Sequence, residues 1–419
     1  MTDTVNDTAV EELLASLPPG PVRDLYTGAV TGPDPYPVYA RLRDAGVITE
    51  PEAHVSRYAD VLAVLRHPSV SADARNSTAY GLLDPGFQRT LDTRSFLHTD
   101  PPDHTRLRRL VTKAFTRRRV EALRPVVQDL VDAAIDAAAA YGRIDIVADL
   151  AFPLPVQIIC HLLGVPPEDH LDLANRQQLC CFDPSTLAAT PALAELQRKN
   201  QDDDLAYWAG VVEARRAGPG DDLVSALIAA RDDADRLSGD ELVATIRLLF
   251  VGGHETTVSL IANGMLALLR GPAQLGLLRR RPELAADAVE ETVRYDAPFQ
   301  FVRRTATADL DIGGAAIPAG TQMMVWLAAA GRDPRRFPEP DTYDILRADK
   351  RHLGFGGGIH ACMGGPLARM QAEITLRTLT ARLDGPALDP AAPPVYHDDA
   401  VHALRSLPVT FRGVRAREA

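Results

Sequence analysis

The chain has 419 residues, of which 46% are hydrophobic, and it carries a formal net charge of −11. This composition is too apolar for a disordered chain, and the length allows a large buried core. The acidic total argues against nucleic acid or an anionic membrane surface as the main partner.

The N-terminal stretch MTDTVNDTAVEELLASLPPG lacks the basic start and the apolar run of a signal peptide. We find no run of about 18 consecutive apolar residues, so the sequence predicts no membrane span. The spacing of Cys160, Cys180, Cys181 and Cys362 fits neither a disulfide framework nor a four-ligand zinc site. We therefore expect a soluble protein in the reducing cytoplasm.

Helical periodicity dominates the chain, and no internal repeat is present. The predicted helices cover 36–46, 104–116, 119–142, 204–218, 238–269, 282–295 and 365–383. Strand signals are confined to 308–326, where apolar runs flank a Gly-Gly turn, and to 401–411. The irregular segments 73–96 and 180–196 lack the composition of interdomain linkers. The pattern predicts one domain over residues 1–419, mainly α with small β-sheets, in which 1–30 is a loosely ordered N-terminal segment.

The helix predicted after Ser238 is the longest one. Ser238 and Glu241 form an S-x-x-E capping box, and the helical pattern then continues to Leu269. About 32 residues at 1.5 Å per residue extend roughly 48 Å, enough to cross a whole globular domain.

The middle of this helix reads GGHETT at 252–257. Two adjacent glycines cost roughly 1 kcal/mol each relative to alanine in a helix, which indicates a close approach to the backbone. Glu255 and Thr256 add a carboxylate and a hydroxyl at the same point. A kinked core helix is the alternative explanation. A zinc-binding HExxH motif is excluded, because Val258 stands where the second histidine is required.

The stretch 355-FGGGIHACMGG-365 presents Cys362 in a glycine-rich turn ahead of a predicted helix. It also satisfies a G-x-G-x-x-A dinucleotide fingerprint, but the preceding residues make a poor strand. A catalytic thiol is disfavoured, because a base at His360 is poorly placed to act on a thiol two residues away. A buried inert cysteine is the third alternative. Against it, glycines on both sides leave room for something flat and large.

The motif F-x-x-G-x-H-x-C-x-G, formed by Phe355, Gly358, His360, Cys362 and Gly364, resembles the haem-thiolate loop of cytochromes P450. The resemblance extends from about residue 35 to the C-terminus. It implies the cytochrome P450 fold, a single large triangular haem domain, and a haem b group whose iron is bound by the Cys362 thiolate.

Other segments resemble the same family in the same order along the chain, beginning with 100–116 and 252–257. Glu291 and Arg294 match the E-x-x-R pair, which the resemblance makes a buried structural network. An ordinary surface i, i+3 pair is the alternative. Arg332 resembles the arginine that completes this network, although many bacterial members have asparagine where this chain has the preceding glycine.

Haem carries two propionates, and buried anions need cationic or hydrogen-bonding partners. His104 and Arg108 are i and i+4 on one predicted helix face, so both can point at the same carboxylate. A surface position for Arg108 is the alternative if no haem is bound. The other haem-contacting residues that the resemblance implies are Arg304, His360, Phe355, Gly356, Gly252 and Gly253.

The resemblance implies a monooxygenase that uses O2 and two electrons to hydroxylate or epoxidise a mostly apolar small molecule, a secondary metabolite. Thr256 and Glu255 would relay protons into an otherwise dry pocket. The predicted substrate contacts are Tyr80, Leu82, Leu83, Phe87, Val251, Phe299 and Phe301. Two alternatives stay open: coupling or dehydration on the same scaffold without oxygen insertion, and a non-catalytic haem sensor.

The length leaves no room for a fused flavin reductase, so we expect electrons from a small acidic ferredoxin and its ferredoxin reductase. The basic residues expected at its docking surface are Arg109, Lys113, Arg117, Arg118, Arg119, Arg347, Lys350 and Arg351. A charge run of this kind is alternatively an ordinary solvated face. We expect a monomer without nucleic-acid or membrane partners.

Overall fold

The computed structural model describes residues 34–50, 52–82, 88, 95–178, 191–231, 235–396 and 402–417. Its helices are α1 (Tyr36–Ala45), α2 (Tyr58–Arg66), α3 (Asp103–Ala114), α4 (Arg117–Ala122), α5 (Arg124–Ala138), α6 (Pro153–Leu163), α7 (His170–Gln178), α8 (Pro191–Ala217), α9 (Leu223–Ala229), α10 (Gly239–Arg270), α11 (Pro272–Arg280), α12 (Ala285–Tyr295), α13 (Leu327–Gly331) and α14 (Gly365–Arg382). A π-helix covers Ile146–Ala151, and 3-10 turns cover Ala74–Asn76, Tyr80–Leu82, Pro167–Asp169, Pro282–Leu284 and Gly358–His360.

The strands are β1 (Ala53–Val55), β2 (Val70–Ser71), β3 (Arg143–Asp145), β4 (Val302–Ala306), β5 (Leu310–Ile312), β6 (Ala315–Ile317), β7 (Gln322–Val325), β8 (Leu383–Asp384), β9 (Ala387–Leu388), β10 (Val395–Tyr396), β11 (Leu404–Ser406), β12 (Pro408–Thr410) and β13 (Gly413–Val414). Mainly helical structure with small sheets confirms the predicted fold class. A single domain over 1–419 stays a prediction. Both the segment 1–30 and the pair Cys180 and Cys181 lie outside the described residues.

Helix α10 forms the centre of the core. Its predicted capping box is confirmed, since the Ser238 hydroxyl accepts the Glu241 N–H at 3.2 Å and the Glu241 carboxylate accepts the Ser238 N–H at 2.8 Å. Every residue from Thr257 to Leu268 is buried, as expected of a helix with neighbours on all sides. The preceding segment 251–256 is different, because only His254 is buried there. An interior space therefore adjoins the helix at this point.

Helix α14, which follows the cysteine loop, packs against α10 and α12. A Cβ on Gly264 of α10 would lie 3.0 Å from Leu376 and 3.2 Å from Thr292, so the glycine allows the three helices to approach closely. On another side, α10 packs against α6. These contacts fix the cysteine loop relative to the central helix.

The helix predicted over 119–142 is two helices, α4 and α5, which meet at Leu123. Pro125 is the second residue of α5, where its missing N–H leaves no hydrogen bond unmade. In a continuous helix the same proline would have removed an i→i−4 bond, and its ring would have clashed with the preceding turn. The proline therefore separates the two helices.

The largest sheet has the strand order β1-β7-β4-β2, in which β1 and β7 are parallel and the other pairs antiparallel. The region 308–326 divides between two sheets: β5 and β6 form the predicted hairpin, whereas β7 pairs with β4. Arg304 on β4 lies opposite the buried Met323 of β7. The sheet thereby fixes the position of one predicted haem-contacting residue.

One continuous helical stretch among the described residues, Ile146–Leu163, is long and apolar enough to cross a membrane. It combines the π-helix with α6, and Asp149 and two prolines interrupt its apolar sequence. Within the protein, 67% of the stretch is buried, and it packs against α10. It is a core element of the fold.

Candidate active site

The open segment 251–256 of α10 contains both predicted relay residues. A Cβ on Gly252 would meet nothing within 4 Å, whereas a Cβ on Gly253 would lie 3.2 Å from the Ile159 Cδ1 atom of α6. The two glycines therefore have different surroundings: Gly252 borders the interior space, and Gly253 allows α6 to pack. The Thr256 hydroxyl donates to the Gly252 carbonyl one turn back, at 3.0 Å. Glu255 is half-buried beside it.

The cysteine loop is held by short backbone hydrogen bonds. The Cys362 N–H donates to the Phe355 carbonyl at 2.9 Å, and the Gly356 N–H donates to the Leu353 carbonyl at 2.7 Å. Gly356 and Gly358 have φ of +73° and +64°, in the left-handed region that favours glycine. A Cβ on Gly358 would also lie 2.2 Å from the carbonyl oxygen of residue 65 on α2. Only glycine fits this turn.

Cys362 is exposed, yet surrounding protein raises the pKa of its thiol through burial. Cys362 lines an open cleft together with Phe355, Gly356 and Arg369. Backbone N–H groups of Gly364 and Gly365 and the charges of Arg369 and Arg108 counteract this rise. These donors favour an anionic sulfur at the start of α14. A metal ion deprotonates a coordinating thiol outright, so the donor set suits iron ligation.

A cluster of cationic and polar groups lies beside the loop. The rings of His104 and His360 are 4.3 Å apart, and Arg108 donates to the Ala361 carbonyl at 2.5 Å. Both ring nitrogens of His104 and the Nε2 atom of His360 are buried without a hydrogen-bond partner among the described residues. Burial, followed by the field of Arg304, lowers the pKa of His360 to about 3. A neutral imidazole keeps one N–H group, so each of these histidines can donate to a bound ligand.

Arg304 also belongs to this cluster. Burial lowers its pKa to about 10, against the opposing charge of Asp100. Asp100 is already engaged, because its carboxylate accepts the Ser71 hydroxyl and the N–H of Ala72. Within the part of the chain that the structure describes, neither Arg304 nor Arg108 forms a salt bridge. Unpaired guanidinium groups beside unsatisfied imidazoles fit a ligand with two carboxylates, as the haem propionates require.

His98 is a member of the cluster that the sequence analysis missed. Burial and the field of Arg304 lower its pKa to about 4, and it acts in turn on His360. No motif includes it, although it stands shortly before the DPPDH sequence at 100–104. His98 and His360 are far apart along the chain, so no sequence pattern links them. They come together only because the fold places β4 and the cysteine loop next to the segment that contains His98.

The Glu291–Arg294 pair is fully buried, with both side chains 0% exposed. Arg294 donates to Glu291 through Nε and Nη2, each at 2.8 Å. The third charged partner is Arg347, whose Nε lies 3.1 Å from the same carboxylate. Arg347 is 9% exposed and donates to three further carbonyls. Its expected place on a docking surface is therefore wrong.

Arg332 has a different role from a direct bond to Glu291. Its guanidinium lies between the rings of Tyr36 and Tyr295, at 3.3 and 3.7 Å from their centroids. It donates to the Tyr295 carbonyl at 2.7 Å and to Asp341 at 3.2 Å. It adjoins the network through the backbone, because the carbonyl of the preceding residue accepts from Arg294.

The predicted substrate contacts are only partly described. Leu83 and Phe87 lie outside the described residues, as does the side chain of Leu82, while Tyr80 begins the 3-10 turn Tyr80–Leu82. Val251 is half-buried in the open segment of α10, and Phe299 is 47% exposed.

Phe301 packs away from the other predicted contacts. Its ring is 5.0 Å from Trp326 and lies under the guanidinium of Arg303 at 5.5 Å. Side chains alternate along an extended strand, so Phe301 and Arg303 share one face and Arg304 occupies the other. A substrate contact by Phe301 stays a prediction.

Comparisons with known proteins agree with these features. The family model described as cytochrome P450 matches residues 278–384, which include the E-x-x-R pair and the cysteine loop. Cytochrome P450 monooxygenase PikC of Streptomyces venezuelae is 42% identical over 413 residues, covering 95% of this chain and 96% of that protein. Vitamin D(3) 25-hydroxylase of Pseudonocardia autotrophica is 38% identical over 404 residues, covering 93% and 96%. The ligand-free crystal structure of Mycobacterium smegmatis CYP164A2 has a TM-score of 0.82 at 40% identity, covering 96% of this chain and 99% of that one.

Proposed function

Because the chain belongs to the cytochrome P450 family, we propose that this haem-thiolate monooxygenase hydroxylates or epoxidises a mostly apolar small organic molecule, a secondary metabolite. The observation that carries the proposal is an exposed cysteine in a loop that requires glycine, followed directly by α14, which packs against the central helix α10. Of the two relatives described above, one is named as a monooxygenase and the other as a hydroxylase.

The residues around the site divide between holding the haem and handling protons. Cys362 would bind the iron, and His104, Arg108, Arg304 and His360 would hold the propionates. When bound, the haem supplies the oxygen chemistry, for which a thiolate ligand favours O–O cleavage. The protein contributes the ligand, the orientation of the substrate and a pocket that excludes water.

Thr256 and Glu255 are the proposed proton relay. A hydroxyl both donates and accepts hydrogen bonds. Thr256 can therefore accept a proton at its oxygen while the hydroxyl hydrogen that now bonds to the Gly252 carbonyl is donated onward. Glu255 is half-buried and adjacent in sequence, which suits a group that brings protons from solvent.

We expect Thr256→Ala to consume reducing equivalents while releasing hydrogen peroxide in place of product. The measurement is the ratio of product formed to electron donor consumed, compared with Thr256→Ser, which keeps the hydroxyl. Unchanged coupling in the alanine variant would refute the relay role.

Substrate identity is best approached by a spectral screen. In the haem-loaded protein, binding of a molecule at the site would be read as a change of the Soret absorption band. We expect apolar molecules to give this shift and then an oxygenated product with a ferredoxin system. A spin shift followed by a coupled or dehydrated product without added oxygen would contradict the monooxygenase assignment for that substrate.

The proposed electron donor is a small acidic ferredoxin with its reductase. A surface cleft of about 810 Å³ reaches Cys362 from outside, and Arg351, Lys350 and Arg369 are among its lining residues. Arg351 is 80% exposed although it pairs with Asp349 at 2.6 Å, whereas Lys350 is 13% exposed and paired with Asp287 at 2.9 Å. Arg351 is therefore the accessible charge of the pair for a docking partner.

We expect Arg351→Ala to raise the KM for ferredoxin and to weaken the salt dependence of turnover. Arg281→Ala is the matched control, because Arg281 is an exposed arginine on an ion pair elsewhere. Turnover driven by hydrogen peroxide needs no docking and should be unchanged in both variants. Equal ferredoxin KM values for the two variants would contradict the docking site. A cytoplasmic monomer is also proposed, for which gel filtration tests the oligomeric state.

A further inference from the structure

Three side chains on the outer side of the cysteine loop form one hydrogen-bonded group, here called the proximal cluster: Glu290, His352 and Arg369. Arg369 on α14 donates to Glu290 on α12 through Nε at 2.5 Å and through Nη2 at 3.1 Å. His352 Nε2 lies 3.1 Å from the same carboxylate. Its Nδ1 atom accepts the Gly354 N–H at 3.2 Å, so Nε2 carries the proton and donates to Glu290. The carboxylate therefore holds two donors at once.

The proximal cluster reaches the cysteine through an aromatic ring. The Arg369 guanidinium lies over the Phe355 ring, 4.1 Å from its centroid, and the Phe355 carbonyl accepts the Cys362 N–H at 2.9 Å. A Cβ on Gly365, the first residue of α14, would lie 2.9 Å from Arg369 Nη1. The guanidinium is thus packed between the ring and the start of the helix.

The proximal cluster combines a permanent cation with an ionised carboxylate. Arg369 is permanently charged, and hydrogen bonds from His352 and Arg369 lower the pKa of Glu290 to about 2 despite its partial burial. Arg369 lines the same cleft as Cys362 and stacks on the residue whose carbonyl accepts the Cys362 N–H. A fixed positive charge is therefore held next to the cysteine loop.

We propose that Arg369 is a positioning residue that sets the reduction potential of the thiolate-bound haem iron, and that Glu290 holds it on the Phe355 ring. This rests on the proposed haem-thiolate function. Reduction transfers one electron from the ferredoxin to ferric iron, so the ferrous site carries one more negative charge. A nearby cation stabilises that state and raises the potential, and a nearby anion does the opposite.

The test is the substrate-free reduction potential of the haem protein, measured by spectroelectrochemical titration. We expect Arg369→Gln to lower the equilibrium constant for reduction of the ferric to the ferrous protein about tenfold. For a one-electron couple this is a fall in reduction potential of about 59 mV. Glu290→Gln should shift the potential in the opposite direction, because it removes a negative charge from the same cluster. Arg369→Lys keeps the charge and should recover part of the shift.

Arg377→Gln provides the matched control on the same helix. Arg377 bonds to Gln128 and lies about two turns beyond Arg369, so its loss should leave the potential unchanged. A potential in Arg369→Gln equal to that of the control, with or without lower thermal stability, would overturn the proposal. Potential shifts of the same sign in Arg369→Gln and Glu290→Gln would also overturn it. Removing a positive and a negative charge should shift the potential in opposite directions, whereas loosening the loop should shift it in the same direction in both variants.

The same samples separate this inference from the proposed function. The absorption band of the reduced protein with carbon monoxide reports thiolate ligation before any variant is compared. Absence of the thiolate band in the unmodified protein would overturn the haem-thiolate function itself. A thiolate band with an unchanged potential in Arg369→Gln would overturn the role of Arg369 alone.

Discussion

Replacing Glu291 by glutamine should destabilise the fold strongly. The Glu291 carboxylate accepts four hydrogen bonds, two from Arg294, one from the Asp344 N–H and one from Arg347. The glutamine side chain has nearly the same shape but no charge, and one of its two terminal groups is a donor. It would face donors at every position that the carboxylate now satisfies.

The magnitude follows from the burial of the two arginines. Arg294 is 0% exposed and Arg347 is 9% exposed, so neither guanidinium can recover its hydration when the carboxylate charge is lost. Removing one partner of a buried ion pair destabilises a protein by about 3–5 kcal/mol. The remaining carbonyl acceptors of both arginines favour the lower half of that range. The loss is large beside a total stability of about 5–15 kcal/mol.

Urea unfolding followed by circular dichroism measures this loss as a lower midpoint at an unchanged slope. Glu283→Gln is the control, because it removes a carboxylate from an exposed pair with Arg281 and should leave the midpoint unchanged. Similar midpoints for the two variants would refute the reasoning that burial makes the Glu291 network necessary.

Two further predictions concern α10. Gly252→Leu should lower the haem content, measured by the ratio of Soret to protein absorbance, because its open side is the predicted haem contact. Gly210→Leu is the control, since Gly210 of α8 also has nothing within 4 Å of a Cβ; equal haem contents would contradict the contact. His254 is 0% exposed, and burial lowers its pKa from 6.5 to about 4. Between pH 6.5 and pH 4 the imidazole is therefore protonated in the unfolded state and neutral in the folded state. The free energy of unfolding should therefore fall by about 3 kcal/mol as the pH drops from 6.5 to 4. Unfolding measured at both pH values should show a smaller fall in His254→Leu than in the unmodified protein. Equal falls in the two proteins would contradict a neutral buried His254.

The features that the sequence predicted depend on residues close together in the chain. The capping box of α10 and the cysteine loop are short motifs in which backbone geometry restricts the residue type, as at Gly358. The break between α4 and α5 was also readable, since Pro125 is unfavourable inside a helix, but the strong flanking periodicity concealed it.

Long-range pairs left no such signal. Arg347 looked like a surface charge because it lies in a polar stretch, and only the folded chain shows that its guanidinium contacts Glu291. His98 and the bonding of Glu290 to Arg369 were missed for the same reason. Amino-acid type predicts that a charge needs a partner, but the choice among many candidate partners depends on how the helices pack.

The stacking of Arg332 between two tyrosines has a practical consequence for the N-terminal part of the protein. Tyr36 belongs to α1, and its hydroxyl donates to Asp296 at 2.8 Å. Truncation past residue 35 would remove the Tyr36 ring from one side of the Arg332 guanidinium, which is 7% exposed. It would also remove the hydroxyl that donates to Asp296. Shortened versions meant for crystallisation should therefore keep α1 intact, although it lies far from the cysteine loop in sequence.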